Sequence, residues 1–182
     1  MLISASWSAY QSHSDRFLDT FFDTVRALAS RGKLVVILGK VPVISTFDRL
    51  CWEKALSFPF MNCRAPSIPL VEDVASANAR IKAFADSTPN VEYYDVIKYL
   101  CPDGKCSAFD KSGKPIYYDS GHLALSASWE LGKEIYQRDG VPTPFTLISD
   151  WPRTARLMEQ RTAVNDNSNY VLHTDALQAA RR

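Results

Sequence analysis

The sequence predicts an α/β domain built on a mainly parallel sheet. Two observations carry this. Apolar runs of strand length alternate with stretches whose apolar residues recur at helical spacing. The most apolar run, "KLVVILGKV" (33–41), is continuous rather than alternating, which marks a strand buried on both faces, as in a parallel sheet covered by helices. With 182 residues, 46% of them hydrophobic, the chain is long enough for one domain with a substantial core.

The elements follow in order. "MLISASW" predicts a short buried strand that starts abruptly, as if the chain began inside a domain. A helix is expected over 15–31, with Leu18, Phe21, Phe22, Val25, Leu28 and Ala29 on its apolar stripe, Ser14 or Asp15 as its cap and Gly32 as its stop. The run 33–41 is a central strand, ended by Pro42. Residues 45–68 read as irregular. A second helix is expected over 70–87 from Leu70, Val74, Ile81 and Phe84, then a strand over 90–96. "DKSGKP" is a turn, "IYYD" a short strand, and 123–137 a last helix with Leu125, Trp129, Ile135 and Tyr136 in the core. This alternation implies right-handed connections and helices on both faces of the sheet. Functional residues in such sheets gather at the carboxyl ends of the strands.

Charge excludes some partners. Twenty-one basic residues against 20 acidic ones give a net charge of +1, which argues against nucleic acid or an anionic membrane surface as the main partner. No apolar run reaches the roughly 20 residues of a membrane span, and the N-terminus lacks the pattern of a signal peptide. The four cysteines, 51, 63, 101 and 106, allow three pairings. The Pro-Asp-Gly turn inside "CPDGKC" can bring Cys101 and Cys106 together, so local bridges 51–63 and 101–106 are expected. Free thiols and a zinc site are the other readings, although the spacings fit no common zinc pattern. Bridges imply an oxidising compartment, which would be reached if an upstream segment handled export.

The candidate chemistry lies in "YYDSGHLAL" (117–125). An imidazole acting as general base must present one nitrogen to a hydroxyl and keep the other bonded to an acceptor. A carboxylate three residues upstream on a tight loop can take that second N–H, and Gly121 would let the backbone turn. His122 is then the candidate base and Asp119 the acid that orients it. Taken alone the spacing is a weak signal, and it also fits a capping aspartate followed by a histidine in a polar pocket. His13-Ser14-Asp15 holds triad residue types, but adjacent residues cannot form the relay.

The segments "LISASWSAY", "VVILGKVPV", "VEYYDVIKYLCPDGKC" and "IYYDSGHLALSASWELG", in that order, resemble the later part of an SGNH (GDSL-like) domain. The nearest resemblance is to the C-terminal SGNH domain of membrane-bound acyltransferase family 3 proteins, which O-acetylate bacterial surface polysaccharides. It covers roughly residues 1–137, leaving 138–182 as a C-terminal extension. It implies a three-layer α/β/α sandwich, flavodoxin-like and here lacking its first strand. It also implies a periplasmic location within an inner-membrane protein and a Ser-His-Asp mechanism with no metal or cofactor. His122 falls on the base and Asp119 on its partner. The implied partners are a polysaccharide or lipid-linked glycan and an acyl donor delivered by an upstream membrane acyltransferase domain, with no nucleic acid.

The sequence departs from that pattern at the nucleophile. The family's Gly-Asp-Ser block on the first strand has no counterpart here. Ser45 follows a strand without the Gly-Asp lead, and Ser120 lies inside the motif itself. Nor is there a Gly-x-Asn block for an oxyanion hole. Trp7 stands in that region, where it fits either a substrate-side position or the core, and Asn78 reads as a residue of the 70–87 helix. The resemblance therefore leaves three readings open: part of an O-acyltransferase, a carbohydrate acetyl esterase, or a non-catalytic module binding glycan or a partner. His173 and a basic tail with Arg153, Arg156, Arg161, Arg181 and Arg182 are given no role, and a short helix is expected over 151–160.

Overall fold

A computed structural model of the chain describes residues 1–149. The expected 151–160 helix, His173 and the five tail arginines lie outside the described residues. Two compact units are present, Met1–Pro144 and a second beginning at Phe145, of which residues 145–149 are helical.

The first unit runs β1 (Leu2–Ser4), α1 (Trp7–His13), α2 (Phe17–Ala29), β2 (Val35–Leu38), α3 (Cys51–Ser57), β3 (Ile68–Pro69) and α4 (Glu72–Asp86). It continues with β4 (Val91–Tyr94), α5 (Ile97–Leu100), β5 (Lys105–Cys106), β6 (Tyr117–Asp119), β7 (His122–Leu123) and α6 (Leu125–Asp139). Strands β1, β2 and β4 form a parallel sheet in that order, with Leu2 opposite Val36 and Val35 opposite Val91. The unit is thus α/β with a small parallel sheet. Two antiparallel pairs, β3 with β5 and β6 with β7, stand apart from it.

Burial explains why the central run is continuous. Val35 and Ile37 point into a cluster with Trp7, Leu18, Val25, Ala77, Ile81 and Phe84, contributed by α1, α2 and α4. Val36 faces the other way by strand alternation, and it is equally buried. Each such fully buried aliphatic side chain contributes about 1.5–3 kcal/mol. A second cluster of Ile44, Leu100, Ala108, Tyr117 and two cysteines packs against Leu123 and Leu131. That cluster anchors the β6–β7 hairpin.

Several local expectations are corrected. The opening strand stops at Ser4, and Trp7 starts a short helix instead. Helix α2 has Arg16 at its N-cap with no side-chain capping bond, so neither Ser14 nor Asp15 caps it; Gly32, at φ 74°, does follow its end. The irregular region contains α3. On α6, Ile135 is buried, whereas Leu125, Trp129 and Tyr136 are 78%, 74% and 65% exposed. These three share one face of the helix at spacings of four and seven, and the packed side is the other one, carrying Leu131.

Both expected disulfides are present. Cys51–Cys63 ties α3 to the loop after it, and Cys101–Cys106 closes the Pro-Asp-Gly turn, with Cα separations of 5.4 and 4.0 Å. Loop closure predicts about 3 kcal/mol from the longer bridge and about 2 kcal/mol from the shorter. Without reductant, iodoacetamide should therefore label no cysteine, and with reductant all four. Urea denaturation in reductant should show a midpoint lowered to match. Equal midpoints in the two conditions would mean the bridges do not constrain the unfolded chain.

Candidate functional site

The site is a hairpin turn. Asp119, the last residue of β6, pairs across with His122, the first of β7, and a bulge lies between Tyr117 and Asp119. Asp119 builds the turn with its own side chain. One carboxylate oxygen, Oδ1, accepts the backbone N–H of Gly121 and that of His122, each at 2.9 Å. An aspartate that bonds the backbone two and three residues ahead replaces the main-chain bonds a turn otherwise needs. Glycine's freedom is not what allows it. Gly121 has no left-handed φ, and a Cβ there would sit 3.6 Å from Lys40 Nζ, an ordinary contact.

The same carboxylate reaches the imidazole. His122 Nδ1 lies 2.9 Å from both Asp119 oxygens. With an ionised carboxylate as acceptor, Nδ1 carries the proton of the neutral ring and Nε2 carries the lone pair. No hydrogen bond to Nε2 is found among the described residues, and the His122 side chain is 69% exposed. Asp119 stays ionised readily. The Gly121 N–H first, then the His122 ring, hold its carboxyl below the usual carboxylate range.

That shift has a sign. A depressed carboxyl stabilises the turn above its unfolded value near ~3.9, and the contribution is lost as pH falls through the lower folded value. In an acid titration followed by carbon NMR, the Asp119 Cγ midpoint should therefore fall below that of an unstructured aspartate. The amide shifts of Gly121 and His122 should move with it. A midpoint at or above the unstructured value would deny the carboxylate its N–H partners.

The segment leaving β2 supports the turn from beneath. Ile44 N–H donates to Ser120 O at 2.7 Å, the Tyr117 hydroxyl to Pro42 O at 2.8 Å, and Lys40 Nζ to Gly121 O at 2.7 Å. Lys40 itself is clamped by Asn78 on α4. The Asn78 amide oxygen accepts Lys40 N–H at 2.9 Å, and its nitrogen donates to Lys40 O at 3.0 Å. Burial lowers the Lys40 pKa, against the opposing charge of Asp119. The hairpin is thereby held to the residues that follow β2, beyond its carboxyl end.

The other sequence candidates disperse. Ser45 is exposed in the turn after Ile44, and no hydrogen bond joins it or the Ser120 hydroxyl to His122 among the described residues. Trp7 is 1% exposed, its indole N–H on Leu38 O at 2.9 Å, so it is a core residue. His13 bonds the Ala9 carbonyl one turn back in α1. Lys40 was missed by sequence reasoning. The signal available was a lysine just after the most apolar strand of the chain. A groove of about 770 Å³ runs beside the hairpin, between α6 and the 107–116 segment. Leu123 lines it; Asp119 and His122 do not.

A family model described as "SGNH domain (fused to AT3 domains)" matches residues 1–137, about three quarters of the chain. No curated protein and no solved structure matches it.

Proposed function

This chain belongs to the family of SGNH domains fused to AT3 domains, and we propose that Asp119 and His122 are the acid and base of a Ser-His-Asp acyl transfer. The observation that carries the reading is the pair itself: Nδ1 held at 2.9 Å by the carboxylate, with Nε2 left unbonded among the described residues. In the reaction, Nε2 takes the proton of a serine hydroxyl as that oxygen attacks an acyl carbonyl. The same nitrogen returns it to the departing alkoxide, leaving an acyl-serine. A sugar hydroxyl of a bacterial surface polysaccharide then takes the acyl group by the same exchange in reverse. The acyl donor is delivered by a membrane acyltransferase domain. The disulfides fit a periplasmic setting, and the fold is read as part of a three-layer α/β/α sandwich.

The exposure of the ring favours a second reading. An open dyad admits water as acceptor, which would make the reaction a carbohydrate ester hydrolysis, because transfer depends on excluding water.

No Gly-Asp-Ser triplet occurs in the sequence. Residues 1–182 alone should therefore neither hydrolyse 4-nitrophenyl acetate above a His122→Ala control nor be labelled by a fluorophosphonate. Joined to a segment carrying a Gly-Asp-Ser block, the chain should do both. Asp119→Asn should then lower turnover by about 10⁴, the size of a triad's loss when its histidine takes the wrong tautomer. Stoichiometric labelling of a serine in the isolated chain, Ser45 being the first to check, would place the nucleophile elsewhere. A fused protein that stays silent would leave a binding module as the surviving reading.

A further inference from the structure

The geometry points to Lys40 as a positioning residue for His122, a role that rests on the dyad reading above. Three observations meet at this side chain. Its ammonium donates to Gly121 O at 2.7 Å, across 81 residues of sequence. Gly121 is the residue immediately before His122, and its N–H is one of those bound by Asp119. The Lys40 backbone is fixed on both sides by the amide of Asn78, which is 4% exposed and the one buried polar residue among those described. A flexible side chain is thus given a rigid root, and its head is spent on the middle of the turn.

The peptide between Gly121 and His122 has its carbonyl on Lys40 and its N–H on Asp119. Those two bonds fix the plane of that peptide. The plane fixes the N–Cα bond of His122, and so limits the positions from which its ring can reach Asp119. Without the ammonium, the carbonyl is free to turn toward water. The peptide can then rotate, the N–H can leave Asp119, and the ring loses the approach that brings Nδ1 to the carboxylate. Burying half of a lysine costs desolvation, as its lowered pKa records, and a lysine meant only for solubility would not accept that cost. Asp119 supplies the compensating negative field.

The test reads the tautomer of His122 by nitrogen NMR in the intact chain, so it needs no activity. The unmodified chain should show the Nδ1–H tautomer. Lys40→Met, which keeps the apolar stem, should lower the ratio of Nδ1–H to Nε2–H by about fivefold, the size of one ordinary hydrogen bond. Lys40→Arg, which restores a donor of similar reach, should recover most of it. If Lys40→Met does not fold, Lys40→Gln serves, since its amide ends short of the carbonyl and should give the same loss. A folded Met or Gln variant with the unmodified ratio would overturn the role of Lys40 and leave the dyad standing. An unmodified chain lacking the Nδ1–H tautomer would remove the dyad, and the role with it.

Discussion

Trp7→Ala should destabilise the chain by about 3–5 kcal/mol, the range for emptying a large aromatic site in a core. The indole is 1% exposed and packs on Phe21 with ring centroids 4.7 Å apart. It stands where α1, α2 and α4 meet on the sheet. Its N–H is also the partner of Leu38 O, at 2.9 Å. Trp7→Phe separates the two contributions. It keeps most of the volume and leaves the carbonyl unsatisfied, so it should cost about 1–3 kcal/mol. Urea denaturation gives both values. A midpoint unmoved by Trp7→Ala would return the residue to a substrate-facing role.

Gly39→Ala should cost about 2–3 kcal/mol through overpacking. Gly39 has no unusual φ; what it lacks is room. A Cβ would fall on the Tyr93 hydroxyl and 2.7 Å from Asp95 Cβ. Asp95 in turn accepts the Ile97 N–H at 3.0 Å as α5 begins, so pushing it aside disturbs the next element. The Tyr93 hydroxyl is buried beside the Asp95 carboxylate and makes no well-formed hydrogen bond among the described residues. Tyr93→Phe removes the atom that the new methyl meets, and should rescue roughly half of the Gly39→Ala loss. Strict additivity of the two substitutions would show that the hydroxyl is not what the methyl meets.

The legible parts of this chain were those fixed by neighbours in sequence. The run 33–41 announced β2 because a strand buried on both faces has no polar side to show. The Asp119–His122 contact was legible because three residues and two N–H groups suffice to make it. Helix α6 was misread for a physical reason. Leu125, Trp129 and Tyr136 satisfy helical spacing as well as Leu131 and Ile135 do, and periodicity cannot say which stripe meets the core. Helices α1 and α3, at seven residues each, are too short for a periodic signal and have no side-chain cap to announce them. The lysine after the most apolar strand could be seen in the sequence, but its role could not, because its partner, the Gly121 carbonyl, lies 81 residues away.

The two disulfides join cysteines 12 and 5 residues apart, and that locality biases which bridges form first. Either alternative connectivity would have to close two loops of roughly 40–55 residues, which costs on the order of 3 kcal/mol more chain entropy than the native pair. Random oxidation of the unfolded chain is thus already weighted toward the native bonds by a factor of roughly one hundred. Neither bridge crosses the parallel sheet. The sheet can consequently assemble before or after oxidation, and the chain should recover its native bridges after reduction without help from an isomerase.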